Sequence, residues 1–368
     1  MVVAALRTPI GTAGGALADV SAADLAAPVL RALAGALPLP VQDVVLGNCM
    51  GPGGDVARVS ALAAGLGIDV PGLTVDRQCG SGLAAIDVAA HLVRPGAVVL
   101  AGGVESASTA PLRFWPGEPP VRYDRAPFSP EPFADPDMGF AADVLAAKAG
   151  VTRERQDTYA ARSHTRAVAI RAAGGFDAEL VPAGDVVRDE RPRAITVERL
   201  ARLRPAFRPE HEGGTVTVGN SCGVNDGAAA VALVDAATHR SLGVPGLRVL
   251  ATATAGVDPE LPGIGLVPAV RTALDRAGVT PADLDVVELN EAFAGQVLAC
   301  CDELGVDPDR VCVEGGALAL GHPWGASGAV LVVRLFSQLV RADRGRYGLA
   351  AIAVGGGQGV AVVVERCR

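Results

Sequence analysis

The chain has 368 residues, half of them hydrophobic, with 46 glycines and a formal charge of −8. That length exceeds what one simple core holds and suits two domains of ordinary size. The acidic balance offers no net field to nucleic acid, and no run reaches the ~18 uninterrupted apolar residues of a membrane helix, so neither is an expected partner.

The start, Met1-Val2-Val3-Ala4-Ala5-Leu6-Arg7-Thr8-Pro9, has no basic segment followed by an apolar core and cleavage site, and it reads as a first strand. An amphipathic run over 25–37 passes through a proline-containing turn into a buried strand, Val44-Val45-Leu46-Gly47, that ends on Asn48. The apolar stretch 72–75 then leads to Cys79-Gly80-Ser81-Gly82, which opens an apolar helix over 83–93, followed by a turn and a strand ending in Gly102-Gly103. Residues 111–136 have another texture, crowded with proline, aromatics and arginine, and helical segments come next at 139–149 and 152–173. Thr152 opens the second of these, but Arg155 stands where a full capping box has Glu or Gln. Insertions of this kind commonly cover a site. A strand at 215–218 is expected to return the chain to the core.

The C-terminal part of the chain repeats the N-terminal part at an offset of about 240–250 residues. The run 267–277 leads through Val279-Thr280-Pro281 into Val286-Val287-Glu288-Leu289-Asn290, again helix, turn, buried strand and Asn. Gly325-Ala326-Ser327-Gly328 opens an apolar helix over 329–340, and a strand from Leu349 ends in Gly355-Gly356-Gly357. Alternating helical and strand periods give an α/β class. The matching order predicts a pseudo-twofold pair of α/β units whose strand ends meet at the centre.

Seven cysteines, an odd number without C-x-x-C spacing, and five scattered histidines make neither a disulfide framework nor a zinc site. Reduced thiols in a soluble cytoplasmic protein are the expectation. Cys79 is the leading candidate for chemistry, because unpaired N–H groups and the dipole at a helix opening favour a thiolate and can bind an oxyanion. A small buried hydrophobe is the competing reading. His322, fixed between Gly321 and Pro323, is placed to deprotonate Cys79 or to donate to a thioester oxygen, and equally suits a structural histidine. Asn290, at the end of a buried strand, is placed to hold a water or another donor.

Taken together, these residues resemble the thiolase family. Asp76-Arg77-Gln78-Cys79-Gly80-Ser81-Gly82-Leu83 is similar to its nucleophile segment. Arg7-Thr8-Pro9-Ile10-Gly11, Gly102-Gly103-Val104-Glu105-Ser106, Gly219-Asn220-Ser221-Cys222-Gly223-Val224-Asn225-Asp226, Asn290-Glu291-Ala292-Phe293-Ala294 and Gly321-His322-Pro323-Trp324-Gly325-Ala326-Ser327-Gly328 resemble its other signatures, in order. The resemblance implies two duplicated halves in α-β-α-β-α layers, with an inserted loop domain over coenzyme A. The expected boundaries are 1–110 with 224–242 for the N-terminal half, 111–223 for the insertion and 243–368 for the C-terminal half.

By the same resemblance the chain is a ping-pong acyltransferase, with a coenzyme A thioester as substrate and no permanently bound cofactor or metal. Cys79 becomes the nucleophile and His322 its base. Asn290, through a water, and His322 form one oxyanion hole; the backbone N–H groups of Cys79 and Gly355 form the other, each donor worth ~3 kcal/mol in the transition state. Met138, Leu203, Phe207, Val218, Cys222 and Phe293 are the implied coenzyme A contacts, and a homodimer or homotetramer is the implied assembly.

One departure from the family matters. In the C-terminal run Ile352-Ala353-Val354-Gly355-Gly356-Gly357, Ala353 takes the place of a second reactive cysteine that moves a proton during condensation. Losing a positioned acid–base group costs on the order of 10²–10⁴ in rate. Cys49, Cys222 and Cys312 are the thiols that remain to substitute. Three readings are open: carbon–carbon bond formation or cleavage with a relocated base; acyl transfer to another nucleophile, or decarboxylative condensation, neither needing a base at 353; and a silent acyl-CoA-binding subunit.

Overall fold

In the computed structural model, which describes residues 1–368, the predicted periods become alternating strands and helices. The first part contains β1 (Val2–Arg7), β2 (Gly11–Thr12), α1 (Ala22–Gly35), β3 (Val41–Gly47), α2 (Val56–Ala63), β4 (Gly72–Val75), α3 (Ser81–Leu92) and β5 (Val98–Ser106). Next come a short hairpin of β6 (Arg113–Trp115) and β7 (Val121–Tyr123), then α4 (Met138–Lys148), α5 (Arg153–Ala172) and α6 (Val197–Leu200). The chain returns with β8 (Asn225–Leu233) and α7 (Ala236–Leu242). The last part contains β9 (Gly246–Gly256), α8 (Leu266–Ala277), β10 (Val286–Leu289), α9 (Ala294–Leu304), α10 (Ala317–Leu320), α11 (Trp324–Phe336), β11 (Tyr347–Val354) and β12 (Gln358–Cys367).

The internal repeat is visible in strand pairing. β3 runs parallel to β5, which pairs antiparallel with β8, and β8 with β1. In the second half β10 runs parallel to β11, which pairs antiparallel with β12, and β12 with β9. Even the edge strand β4 has a remnant counterpart, the single parallel bridge between Val287 and Val311. The half-sheets meet edge to edge where Val2 of β1 pairs with Leu247 of β9, giving one ten-stranded sheet.

Helices α3 and α11 lie between the two half-sheets and pack on each other, while α1 and α2 cover one outer face and α8 and α9 the other. This produces five layers, α-β-α-β-α. α1 shows why the outer helices form: Ser21 caps it by accepting the Asp24 N–H, and Leu25, Val29, Leu30 and Leu33 are buried along one face. α11 is buried from Gly325 to Phe336 and α3 from Ser81 to Ile86, and their contact depends on small residues. A Cβ on Gly82 would lie 2.7 Å from the Ala329 nitrogen, and one on Gly328 only 2.5 Å from the Leu83 nitrogen.

Of two local expectations, one holds and one does not. Thr152 does cap α5, through its hydroxyl and the Arg155 N–H, without a reciprocal carboxylate. The strand expected at 215–218 does not form. There the Thr215 and Val216 N–H groups are taken by Asp143 Oδ1 and the Thr217 N–H by Asn220 Oδ1, so side chains replace a neighbouring strand.

Candidate active site

β4 ends at Val75, and the chain then turns sharply so that Cys79 stands just ahead of α3. Gln78 occupies the left-handed region, φ 44°, an uncommon conformation for a non-glycine residue and typical of a functional turn. Ser81 locks the turn: its hydroxyl accepts the Arg77 N–H at 2.8 Å and donates to the Gln78 carbonyl at 2.6 Å. Gly80 lets this turn sit against β11, since a Cβ there would lie 2.8 Å from Val354 Cγ2.

That contact brings the Gly355 N–H to the Cys79 sulfur. Burial pushes the thiol up to about 12, while the N–H groups of Cys79 itself and of Gly355 pull it down, and Glu105 and Asp76 oppose them. The resting group is therefore a thiol. The thiolate expected from the helix opening is not favoured at rest, because desolvation outweighs the amide donors.

His322 lies in the turn between α10 and α11, where Gly321 (φ 117°) leaves no room for a side chain: a Cβ would lie 2.6 Å from Asn225 Cγ. Asn225 Oδ1 accepts the His322 backbone N–H at 2.9 Å. The ring is fixed by Ser327, whose Oγ lies 2.5 Å from Nδ1. Ser327 is also within hydrogen-bond distance of the Pro323 carbonyl, at 2.9 Å; with that carbonyl taking the hydroxyl proton, the network assigns the ring proton to Nδ1 and a lone pair to Nε2. Burial lowers the imidazole to about 4, which keeps it neutral at pH 7. Asn290, buried at the end of β10, holds its amide nitrogen 3.5 Å from that Nε2.

Cys79, His322 and Gly355 wall one cleft, with Met138, Cys222, Phe293, Ala353 and Trp324 also in its lining. No hydrogen bond joins Cys79 to His322 in this state, though both open onto the same space. Of the remaining expected contacts, Phe207 stacks edge-on against Phe293 at 6.1 Å and covers Gly139, placing it at the rim. Val218 is exposed, and Leu203 packs against Gly219 away from the cleft wall.

Four supporting residues carry no role in the sequence reading. Glu105 accepts N–H groups from Cys49, Met50 and Gly325 and the Asn48 amide, tying the end of β5 to the start of α11. Glu291 accepts from Tyr159, Ser163 and the Leu318 N–H, and so fixes the loop after Asn290. Asn225 and Ser327 orient His322. All four lie inside the signature segments; the available signal was a buried-type polar residue in an otherwise apolar or glycine-rich run.

A neutral imidazole with a free lone pair, a thiol in the same cleft and paired amide donors at the sulfur make up the parts of covalent acyl transfer. Comparison with known proteins agrees. Residues 1–237 match the N-terminal thiolase domain and residues 243–366 the C-terminal thiolase domain. An acetyl-CoA acetyltransferase of Pseudomonas aeruginosa is 44% identical over 100% of this chain and 99% of its own. One of Escherichia coli is 40% identical over 100% and 98%. The crystal structure of the Bacillus anthracis acetyl-CoA acetyltransferase superposes with a TM-score of 0.91 at 39% identity, covering 100% of this chain and 98% of that one. Fold, site and similarity along the whole length agree, and the chain belongs to the thiolase family.

Proposed function

We propose that this protein is an acyltransferase that takes an acyl group from coenzyme A onto Cys79 and uses it in Claisen-type condensation, or in the reverse thiolysis of a 3-ketoacyl-CoA. The observation that carries this reading is that Cys79, His322 and Gly355 line one cleft, with Ser327 Oγ held against His322 Nδ1 and the Asn290 amide against Nε2. His322 Nε2 takes the thiol proton, Sγ attacks the thioester carbonyl, and the oxyanion is held by the N–H groups of Cys79 and Gly355. Collapse expels the coenzyme A thiolate, while the proton taken from Cys79 stays on His322 Nε2. Asn290 and His322 then hold the carbonyl oxygen of the second thioester.

Residues 111–223 serve as the coenzyme-covering insertion between halves 1–110 with 224–242 and 243–368. Met138, Phe293 and Cys222 contact the pantetheine arm in the cleft, with Phe207, Val218 and Leu203 further out. The enzyme works as a cytoplasmic homodimer or homotetramer. Ala353 stands in the place of the family's second cysteine, and that absence favours a second reading, decarboxylative condensation or transfer to a different nucleophile. A silent acyl-CoA-binding subunit is a third reading, and isotope exchange distinguishes it.

Exchange of labelled coenzyme A into unlabelled acetyl-CoA, with no other acceptor present, tests the proposal. The intact protein is expected to catalyse it and Cys79→Ala to lose it. Equal exchange by both proteins, or none across several acyl-CoAs, would contradict an acyl-Cys79 intermediate.

A further inference from the structure

Of the three thiols left to replace the one missing at 353, two are committed elsewhere. Cys312 is buried beneath β10 and donates to the Leu289 carbonyl at 3.2 Å. Cys49 sits behind the nucleophile turn and donates to the Gln78 carbonyl at 3.0 Å. Cys222 alone of the three shares the cleft wall with Cys79, His322 and Ala353.

Its position is fixed. The Cys222 N–H donates to the Ala292 carbonyl at 2.9 Å, and Ser221 bridges to Phe293, so the segment is tied to the loop that follows Asn290. Arg191 lies directly beside it: a Cβ on Gly223 would sit 2.3 Å from Arg191 Nη1, and Arg191 Nε is buried without a hydrogen-bond partner.

We propose that Cys222 is the acid–base thiol of the condensation step, relocated across the cleft from position 353 and supported by the Arg191 cation. This rests on the acyl-Cys79 reading. Burial pushes Cys222 up to about 12, with the nearby Cys79 adding to the rise and Arg191 opposing it. Such a thiol is a proton donor at rest and a strong base once ionised.

The protons balance over the two half-reactions. While Cys79 is being acylated, its proton resides on His322 Nε2, and Cys222 gives its own proton to the departing coenzyme A sulfur. The Cys222 thiolate then removes a proton from the methyl carbon of the second acetyl-CoA. The resulting carbanion attacks the acyl-Cys79 carbonyl, the carbon–carbon bond forms and the Cys79 carbon–sulfur bond breaks. The freed Cys79 thiolate recovers its proton from His322, which returns both thiols and the imidazole to their starting states.

Two readouts separate this inference from the reading it rests on. Acylation is followed by intact mass after acetyl-CoA is added, and methyl proton removal by deuterium uptake into acetyl-CoA in heavy water. Cys222→Ser is expected to reach the acetyl adduct, more slowly, and to lose deuterium uptake by at least about 100-fold. Adding Ala353→Cys to that variant is expected to restore uptake, which a merely structural role for Cys222 would not allow. Deuterium uptake unchanged in Cys222→Ser overturns the proposal, as does acylation of the unmodified enzyme without any uptake. Absence of the adduct in the unmodified enzyme overturns the acyl-Cys79 reading and this inference together.

Discussion

His322 depends on a hydroxyl five positions along its own chain. With Ser327 donating to the Pro323 carbonyl, it accepts from Nδ1, which leaves Nε2 with the lone pair that the proposed base needs. Replacing Ser327 by Ala is expected to slow acylation by about 10–100-fold, the scale found for residues that orient histidines at metal sites; stopped-flow release of coenzyme A measures it. The burial that lowers His322 to about 4 also shapes the pH response. A base with that value stays neutral well below pH 6.5, so the acylation rate is expected to be flat from pH 8 to pH 6. A fall to half near pH 6.5 would show an ordinary exposed histidine instead. The same shift affects stability: between pH 6.5 and 4 the unfolded chain binds a proton that the folded one refuses. The contribution, up to about 3 kcal/mol, is present above pH 6.5 and is lost as the pH falls toward 4.

At this scale the sequence is partly legible. Cys79 and His322 stand out because glycine and proline next to them mark fixed turns. Ser327 and Asn225 do not, since their value lies in which lone pair they leave free, and that is decided by tertiary hydrogen bonds. The resting state of Cys79 is illegible for a related reason: a helix opening is visible in sequence, but the degree of desolvation around the sulfur is not.

Among elements, the contact between α3 and α11 matters most, because each of these helices begins at a turn that carries a proposed catalytic residue, Cys79 or His322. Gly82 and Gly328 allow their backbones to approach closely. Gly328→Ala puts a Cβ 2.5 Å from the Leu83 nitrogen, which requires the helices to part. A loss of about 1–3 kcal/mol is expected from such overpacking, together with a drop in acylation rate as the Cys79 and His322 turns separate. A denaturant titration and the coenzyme A exchange assay measure the two effects. The helices and strands themselves are readable from their periods, in both halves and in order. The 215–218 segment is not, because its alternation of valine and threonine matches a strand while Asp143 and Asn220, distant or local side chains, satisfy its backbone.

At the scale of the whole molecule, a buried ionic cluster joins the parts. Glu179, which follows α5, accepts from Arg7 Nε of β1 at 2.7 Å, from Arg334 of α11 and from Ser337 Oγ at 2.6 Å. Arg7 also binds both oxygens of Asp189, at 2.7 and 2.9 Å, and Arg334 pairs with Glu314. Breaking a buried pair by removing one partner leaves uncompensated charge and costs about 3–5 kcal/mol. Glu179→Gln is accordingly expected to destabilise the protein by an amount of that order in denaturant titration. A change of less than about 1 kcal/mol, the range of surface pairs, would show that the cluster is not a clamp. No sequence signal points to it, since its members are 172 and 155 positions apart. The duplicated architecture, by contrast, is evident from the repeated order of helix, turn and strand.

The proposed chemistry centres on the Cys79 sulfur and the amide donors around it. The most direct measurement is intact-mass analysis after incubation with acetyl-CoA, followed by peptide mapping of the modified protein. One acetyl group per chain on Cys79, absent from Cys79→Ala, is the expected result. An unmodified protein, or an acetyl group carried by any other residue, would contradict the account.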